Sequence, residues 1–316
     1  MIVEGRPLVT VGVLAYNSAA TILDTLDSVL AQTYNNIELI ISDDGSDDST
    51  VESVKQWIVT HKNEFTIAKV IAVEKNTGIP ANCNRLLSEA HGVWIKIIAG
   101  DDLLLPNCIY DFLKFIKQKP EAKVVYSNYR SFISASDGSV QVLDEKLDDK
   151  INMQFDADAH TQLYTYIEKG FNISPSVFMN VEFAKSFGFI EKYKVFEDTP
   201  FYVRILKNGT KIYHLNKDTV LYRSDGDSVT RERNRKHFYK KTFVENYLLF
   251  RREMIYPLYP WYKIVFWIKE LSFIVQYKLT IHVLHNKRTP INNMIYNMFK
   301  ALNPYYLIKF FIGKIC

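Results

Sequence analysis

Two adjacent carboxylates, Asp101 and Asp102, end an apolar run in "WIKIIAGDDLLLP". The run resumes at Leu103 and closes at Pro106. Neighbouring like charges repel, and a charge at the edge of a core is costly unless it is paired or bound to a cation. Carboxylate oxygens placed this way suit a hard divalent ion, Mg²⁺ or Mn²⁺, which keeps water or phosphate oxygens on its other positions. Two further acidic clusters stand out. "DDGSDD" (43–48) follows the apolar stretch "IELIIS", and Glu197 and Asp198 in "FEDTP" stand at a helix-start signal. A helix N-terminus favours the charged form of a carboxylate.

These clusters need elements to position them. "LVTVGVL" (8–14), "IELIIS" (37–42), "TIAKVIAV" (66–73), "VWIKIIA" (93–99) and "AKVVYSNY" (122–129) read as strands. Between the first two, Ile22, Leu26, Val29 and Leu30 recur at helical spacing. Ser49 and Glu52 form a capping-box pattern that opens a helix through Ile58. "PANCNRLLSEAHG" reads as a helix closed by Gly92, and Pro106 suits the first turn of another. Apolar strands alternating with helices predict an α/β fold, with a mostly parallel central sheet covered on both faces. Ligands of such sheets bind beyond the carboxyl ends of the strands. "AYN" (15–17), "DDGSDD", "NTG" (76–78) and "GDD" (100–102) should therefore meet at one edge. None is a Gly-rich phosphate loop of the Walker or dinucleotide type.

Residues 131–230 are less regular. "SASDG" (134–138) reads as a turn and 144–160 as an acidic loop. A helix is expected from about Thr199 to Asn208, with Pro200 at its start and Gly209 beyond its end. "KIYHLNKDTVLYRSDGDSVT" then reads as a strand running into a polar loop.

The 316 residues are 47% hydrophobic and 23% charged, which excludes a disordered chain. The net charge of +4 conceals an asymmetry: residues 231–316 hold 16 Lys and Arg against 4 Asp and Glu. The expected division is therefore 1–230, with halves at 1–130 and 131–230, followed by a helical extension at 231–316. Cys83, Cys108 and Cys316 show neither disulfide nor metal-ligand spacing and read as reduced thiols. Together with an N-terminus that lacks a signal-peptide pattern, this predicts a cytoplasmic location. The stretch 261–284 is apolar but interrupted by Lys263, Lys269, Glu270 and Lys278. A membrane span needs about 20 predominantly apolar residues, so this is not a clean one. Trp261, Ile264, Val265, Ile268, Leu271, Val275 and Leu279 share one helical face. That face fits packing on the catalytic part, a homo-oligomer contact, or a peripheral surface on anionic lipid. Nucleic acid is not an expected partner, because the basic residues lack a recognised binding module.

In order and spacing, "VTVGVLAYN", "QTYNNIELIISDDGSDDST", "NTGIPANCNRLLSEAHGVWIKIIAGDD" and "FEDTPFYVRILKNG" resemble the successive blocks of the family 2 glycosyltransferases, across about residues 8–210. The resemblance implies a GT-A, Rossmann-like fold. It also implies inverting transfer from a nucleotide-diphosphate-sugar, expected to be UDP-linked, to a glycan or lipid-linked glycan in bacterial surface polysaccharide synthesis. In such a single displacement no enzyme nucleophile is needed. Carried onto this sequence, the resemblance places Ala15 and Tyr16 at the nucleotide base and gives Asp44 a hydrogen bond from a uracil-like N–H. Asp101 falls beside the ribose or diphosphate, Asp102 on the metal, and Asp198 as the general base, with Glu197 orienting the loop or acceptor. The sequence departs from the pattern in places. Cys83 stands where many members have an arginine near the diphosphate, with Arg85 the nearest substitute. Asp225 stands where many have a histidine approaching the metal, which makes it a second candidate ligand. Ser18-Ala19 lacks the acidic residue often found after "YN".

Plainer readings stand beside these. Asp47 and Asp48 suit a turn and a helix cap. His160, His214 and His237 show no ligand spacing, and Cys83 suits a small buried helix position. A sugar-nucleotide pyrophosphorylase would carry a Gly-rich basic loop after the first strand, and "LAYNSAAT" is not one. A catalytically silent nucleotide-sugar binder or membrane scaffold would not need the full set Asp44, Asp101, Asp102 and Asp198.

Overall fold

The computed structural model describes residues 5–134, 139–143, 156–169, 174–224 and 236–305. The chain separates into two compact units, Met1–Asp225 and Gly226–Cys316.

Among the described residues of the first unit nine strands form one sheet: β1 (Val9–Ala15), β2 (Ile37–Asp43), β3 (Ile67–Ala72), β4 (Trp94–Ala99), β5 (Leu103–Leu104), β6 (Val124–Ser134), β7 (Val140–Val142), β8 (Val177–Asn180) and β9 (Ile212–Arg223). Their order is β3-β2-β1-β4-β8-β6-β9-β5, with β7 on β6. The helices are α1 (Ile22–Leu30), α2 (Thr50–His61), α3 (Ile79–Ser88), α4 (Cys108–Gln118), α5 (Ala159–Lys169), α6 (Val181–Phe187) and α7 (Asp198–Lys207).

The first four strands pair in parallel, β3 to β2, β2 to β1 and β1 to β4. Val9, Val11 and Val13 of β1 are fully buried, as β-branched residues on a doubly covered strand should be. Between them, Gly12 lets α3 approach: a Cβ there would lie 2.4 Å from Leu86 Cδ2. Beyond β4 the sheet turns mixed. β8 inserts antiparallel between β4 and β6, so the fifth strand read from the sequence does not neighbour the fourth. An aromatic stack fixes that insertion, with Trp94 on Phe178 at 5.5 Å and Phe178 on Phe112 of α4 at 4.8 Å.

Three local readings need correction. Ser49 makes no capping bond; Asp48 Oδ1 accepts from Thr50 N at 3.0 Å and Oδ2 from Ala19 N at 3.1 Å, tying α2 to the loop after β1. α3 ends at Ser88, and Gly92 serves a close approach instead, since a Cβ there would lie 2.5 Å from Thr10 N. The expected loop 144–160 ends in helix: α5 starts at Ala159, with Asp158 Oδ1 accepting from Thr161 N at 2.7 Å. Residues 144–155 lie outside the described residues, as do 135–138 of the expected turn.

The second unit holds α8 (Lys241–Phe250), α9 (Ile264–His282) and α10 (Pro290–Ala301). Its interior is polar where α9 meets it: Glu270, Ser272, Gln276, Tyr277 and Thr280 are the buried residues of that helix. Glu270 pairs with the buried Arg251 at 2.5 Å and accepts from Tyr256 Oη at 3.1 Å. The apolar residues Ile264, Val265, Leu271 and Val275 are exposed. Among the described residues no helix is long and apolar enough to cross a membrane.

Candidate functional site

The Asp101-Asp102 turn is built by β1, α1 and β9. Gly100 N donates to Leu14 O at 2.8 Å, and a Cβ on Gly100 would lie 2.9 Å from Ile22 Cδ1. Thr21 and Thr25, about one helical turn apart, donate to the carbonyls of Gly100 at 2.7 Å and Asp102 at 2.8 Å. Arg223 closes the turn from β9. Its backbone N–H donates to Asp102 Oδ1 at 2.9 Å and its Nε to the Asp101 carbonyl at 2.8 Å. Its guanidinium lies over the Phe132 ring at 4.6 Å and pairs with Asp24 at 3.4 Å.

Asp102 is only 3% exposed, and burial first, then the charge of Asp101, pushes its carboxyl up to about 8. Lys96 on β4 is fully buried, and burial pushes its ammonium down to about 8. Among the described residues nothing hydrogen-bonds Asp102 Oδ2. The donor set fits a hard cation: a carboxylate with one uncommitted oxygen, destabilised by a like neighbour when no counter-ion is present. No group of three metal-ligating side chains occurs among the described residues, so water and phosphate oxygens would complete the shell. Asp225 lies outside the described residues.

Asp43 and Asp44 end β2. Asp43 Oδ1 accepts from Gly45 N at 3.1 Å and Ser46 N at 2.9 Å, which shapes the turn. Asp44 is 3% exposed, and its carboxylate meets four donors. Thr77 Oγ1 at 2.5 Å and Arg85 Nη2 at 3.2 Å reach Oδ1, while Thr77 N at 3.1 Å and Gly78 N at 2.8 Å reach Oδ2. A carboxylate has about four acceptor positions, so a nucleobase N–H at Asp44 must compete with the chain. Arg85 also donates to Asn82 Oδ1 at 2.9 Å and Thr77 Oγ1 at 2.8 Å, which commits its guanidinium to this turn. Cys83 is buried, and its thiol is pushed well up by burial and by the charges of Glu197, Asp198 and Asp44. Asp44 and the adjacent pair Glu197-Asp198, distant from it in sequence, therefore lie about one thiol.

Asp198 is the first residue of α7. Its Oδ1 accepts from Thr199 N at 2.6 Å and its Oδ2 from Ser174 Oγ at 2.5 Å. Glu197 is pushed up to about 8 by burial and by the charge of Asp198. The direction of that push, from burial first and then from the neighbouring carboxylate, favours the protonated form of Glu197. At the end of β1 the Ala15 carbonyl accepts from Asp44 N at 2.9 Å, and Tyr16 is 50% exposed. Asn17 adopts a left-handed φ of 51°, held by Ser46 Oγ on its N–H at 2.8 Å. The loops after β1, β2 and β4 thus converge through named bonds, and the loop after β3 joins through Asp44. Gly78 also reaches the segment before α7, where Ile79 N donates to Lys194 O at 3.1 Å. His214 stacks on Tyr126, and burial pushes it down to about 4, a neutral structural role.

Sequence reading missed Thr21, Thr25, Ser174 and Arg223. Isolated hydroxyl residues carry no pattern. Arg223 did carry a signal, since it directly precedes the polar loop "SDGDS".

A sheet parallel over four strands, mixed beyond them, and carrying its acidic loops on the carboxyl edge defines the GT-A class of α/β protein. The chain belongs to glycosyl transferase family 2, whose profile matches residues 10–187. It is 24% identical over 225 residues to the putative glycosyltransferase EpsE of Bacillus subtilis (strain 168), covering 71% of this chain and 76% of that one. It is 33% identical over 124 residues to WfaP of Escherichia coli, a UDP-Glc:alpha-D-GlcNAc-diphosphoundecaprenol beta-1,3-glucosyltransferase. That match covers 39% of this chain and 46% of WfaP, less than half its length. Among solved structures, S. aureus TarS 1-349 in complex with UDP-GlcNAc aligns with a TM-score of 0.55 at 18% identity, over 85% of this chain and 80% of that one. This likeness concerns the fold.

Proposed function

We propose that this chain transfers a sugar from a UDP-sugar to an acceptor hydroxyl with inversion, in the assembly of a bacterial surface glycan. The observation that carries the reading is Asp198: a carboxylate at the start of a helix whose two oxygens are held by Thr199 and Ser174. Asp198 accepts the proton of the acceptor hydroxyl as its oxygen bonds to the anomeric carbon. The bond from that carbon to the diphosphate breaks, and UDP leaves with the electron pair. Bound at Asp102, Mn²⁺ or Mg²⁺ would neutralise the charge growing on the departing diphosphate. Asp101 lies toward ribose or phosphate. Ala15 and the exposed ring of Tyr16 flank the base, and Asp44 fixes the Thr77-Gly78 turn against which the base docks.

The UDP-linked donor of WfaP supports the nucleotide, and its diphosphoundecaprenol acceptor supports a lipid-linked glycan here. The second unit suits a lipid-linked acceptor. α9 buries Glu270, Ser272, Gln276 and Thr280 and exposes Ile264, Val265, Leu271 and Val275, the reverse of what a helix adapted to water does at those positions. With Lys263 exposed just before the helix and Lys278 and His282 exposed along it, that face fits peripheral attachment to anionic lipid on the cytoplasmic side.

A screen of nucleotide-sugars by calorimetry, with and without Mn²⁺, tests the donor assignment. Metal-dependent binding of a UDP-sugar is expected; binding of none, or of GDP-sugars alone, contradicts it. Binding without UDP release in the presence of acceptor lipids would favour a silent binder. Vesicle flotation tests the membrane face. The wild type should float with phosphatidylglycerol vesicles, and Leu271→Asp/Val275→Asp should not. Equal flotation of both, or a wild-type dimer that covers this face, would refute attachment.

A further inference from the structure

Asp198 is oriented from outside its own helix. The short turn Ser174–Ser176 lies before β8, and its first residue donates to Asp198 Oδ2 at 2.5 Å. The turn is held at its other two residues. The Pro175 carbonyl accepts from Lys96 Nζ at 2.6 Å, and Ser176 Oγ donates to Ser127 O on β6 at 2.7 Å. Ser127 Oγ in turn bonds Thr219 Oγ1 on β9 at 2.6 Å. Lys96 is fully buried on the central strand β4, and its ammonium also donates to Ile97 O at 3.1 Å. A lysine in the middle of an apolar sheet is expensive, and a point charge satisfied by backbone carbonyls is an uncommon way to tie strands together.

We infer that Lys96 and Ser174 are positioning residues for the general base: Lys96 clamps the Ser174–Ser176 turn to the sheet, and Ser174 aims Asp198 Oδ2. The inference rests on Asp198 being the base. The two Asp198 oxygens are then addressed separately, Oδ1 by Thr199 N from inside α7 and Oδ2 by Ser174 from outside it. Thr199 is itself steadied by Tyr166 Oη of α5 at 3.1 Å. The ionisable groups facing Asp198 among the described residues are Glu197 just before α7, Tyr202 of α7 and Cys83 of α3, each pushed up by burial first. Ser174 is a donor to Asp198 that adds no charge of its own. Because Lys96 also lies near Asp102, the same strand carries the metal edge and the clamp on the base.

The test is steady-state UDP release by the full chain, with Ser174→Ala, Ser174→Thr, Lys96→Met and the double variant Lys96→Met/Ser174→Ala, alongside Asp198→Asn. Ser174→Ala should lower kcat by ~10- to 100-fold, the scale of a misplaced base, with donor KM unchanged. Ser174→Thr should recover most of the rate. The double variant should be no slower than the slower single one, because Lys96 acts through the turn. If Ser174→Ala keeps its rate, or if the two substitutions add, the inference is overturned. Those measurements stand even where Lys96→Met folds poorly, because Ser174→Ala alone decides the first. An Asp198→Asn variant that still turns over would overturn the base assignment itself, a different result from an inactive Asp198→Asn beside a normal Ser174→Ala.

Discussion

Replacing Asp102 with Asn separates the energetics of the buried carboxylate from its geometry. Asn keeps an oxygen for the Arg223 N–H, now 2.9 Å from Asp102 Oδ1, and keeps the side-chain volume. What it removes is the titration. In the folded protein the Asp102 carboxyl is pushed up to about 8, whereas an unfolded aspartate titrates near ~3.9. Between those values the folded state holds a proton that the unfolded chain has released, so stability falls as pH rises. The slope for one such group is about 1.4 kcal/mol per pH unit. From pH 6 to pH 8 Asp102 should therefore withdraw on the order of 2 kcal/mol, or ~4–8 °C of Tm for a unit of this size. Glu197, also pushed up to about 8, adds the same sign in both proteins and cancels in the comparison. Lys96, pushed down to about 8, acts with the opposite sign above that pH, which is why the window ends at 8. Scanning calorimetry of the metal-free proteins should show a Tm that declines with pH more steeply in wild type than in Asp102→Asn. Mn²⁺ should raise the wild-type Tm, increasingly so toward pH 8 as it captures the ionised form, and should leave the variant unmoved. Parallel pH slopes and equal Mn²⁺ shifts would refute both the buried charge and its place in the metal site.

Other substitutions test the frame around the site. Gly12→Ala sets a methyl 2.4 Å from Leu86 Cδ2; it should destabilise the first unit by ~1–3 kcal/mol in urea denaturation, with the overpacking relieved in part by Leu86→Ala. Arg251→Met leaves Glu270 charged and buried in the second unit. The loss should be ~3–5 kcal/mol, and adding Glu270→Leu should restore most of it. Chemical denaturation followed by tryptophan fluorescence would measure both.

The sequence disclosed the first half of the sheet because each strand there is a continuous apolar run flanked by turn residues. Val9–Ala15 and Ile37–Asp43 could be little else, and the carboxyl-edge rule then placed their acidic loops. β8 was illegible: four residues, "VFMN", carry no usable period, and its place between β4 and β6 is decided by the Trp94–Phe178–Phe112 stack. The supports of the site were hidden for a related reason. Ser174, Thr21 and Thr25 act through single hydroxyls, and their partners stand far away in the chain. Asp44 shows the limit from the other side: its motif is plain in sequence, yet only the fold reveals that Thr77, Gly78 and Arg85 already occupy its carboxylate. The polar interior of α9 inverted the ordinary reading of its apolar stripe, which faces outward.

The central claim is that Asp198 is the base of a sugar transfer. Its most direct test sets Asp198→Asn beside wild type in one preparation, measuring UDP-sugar affinity by calorimetry and UDP release with lipid-linked acceptor. Donor affinity should be unchanged and UDP release lowered by at least ~100-fold, the least that a general base supplies. Release within a few-fold of wild type, at unchanged affinity, would contradict it.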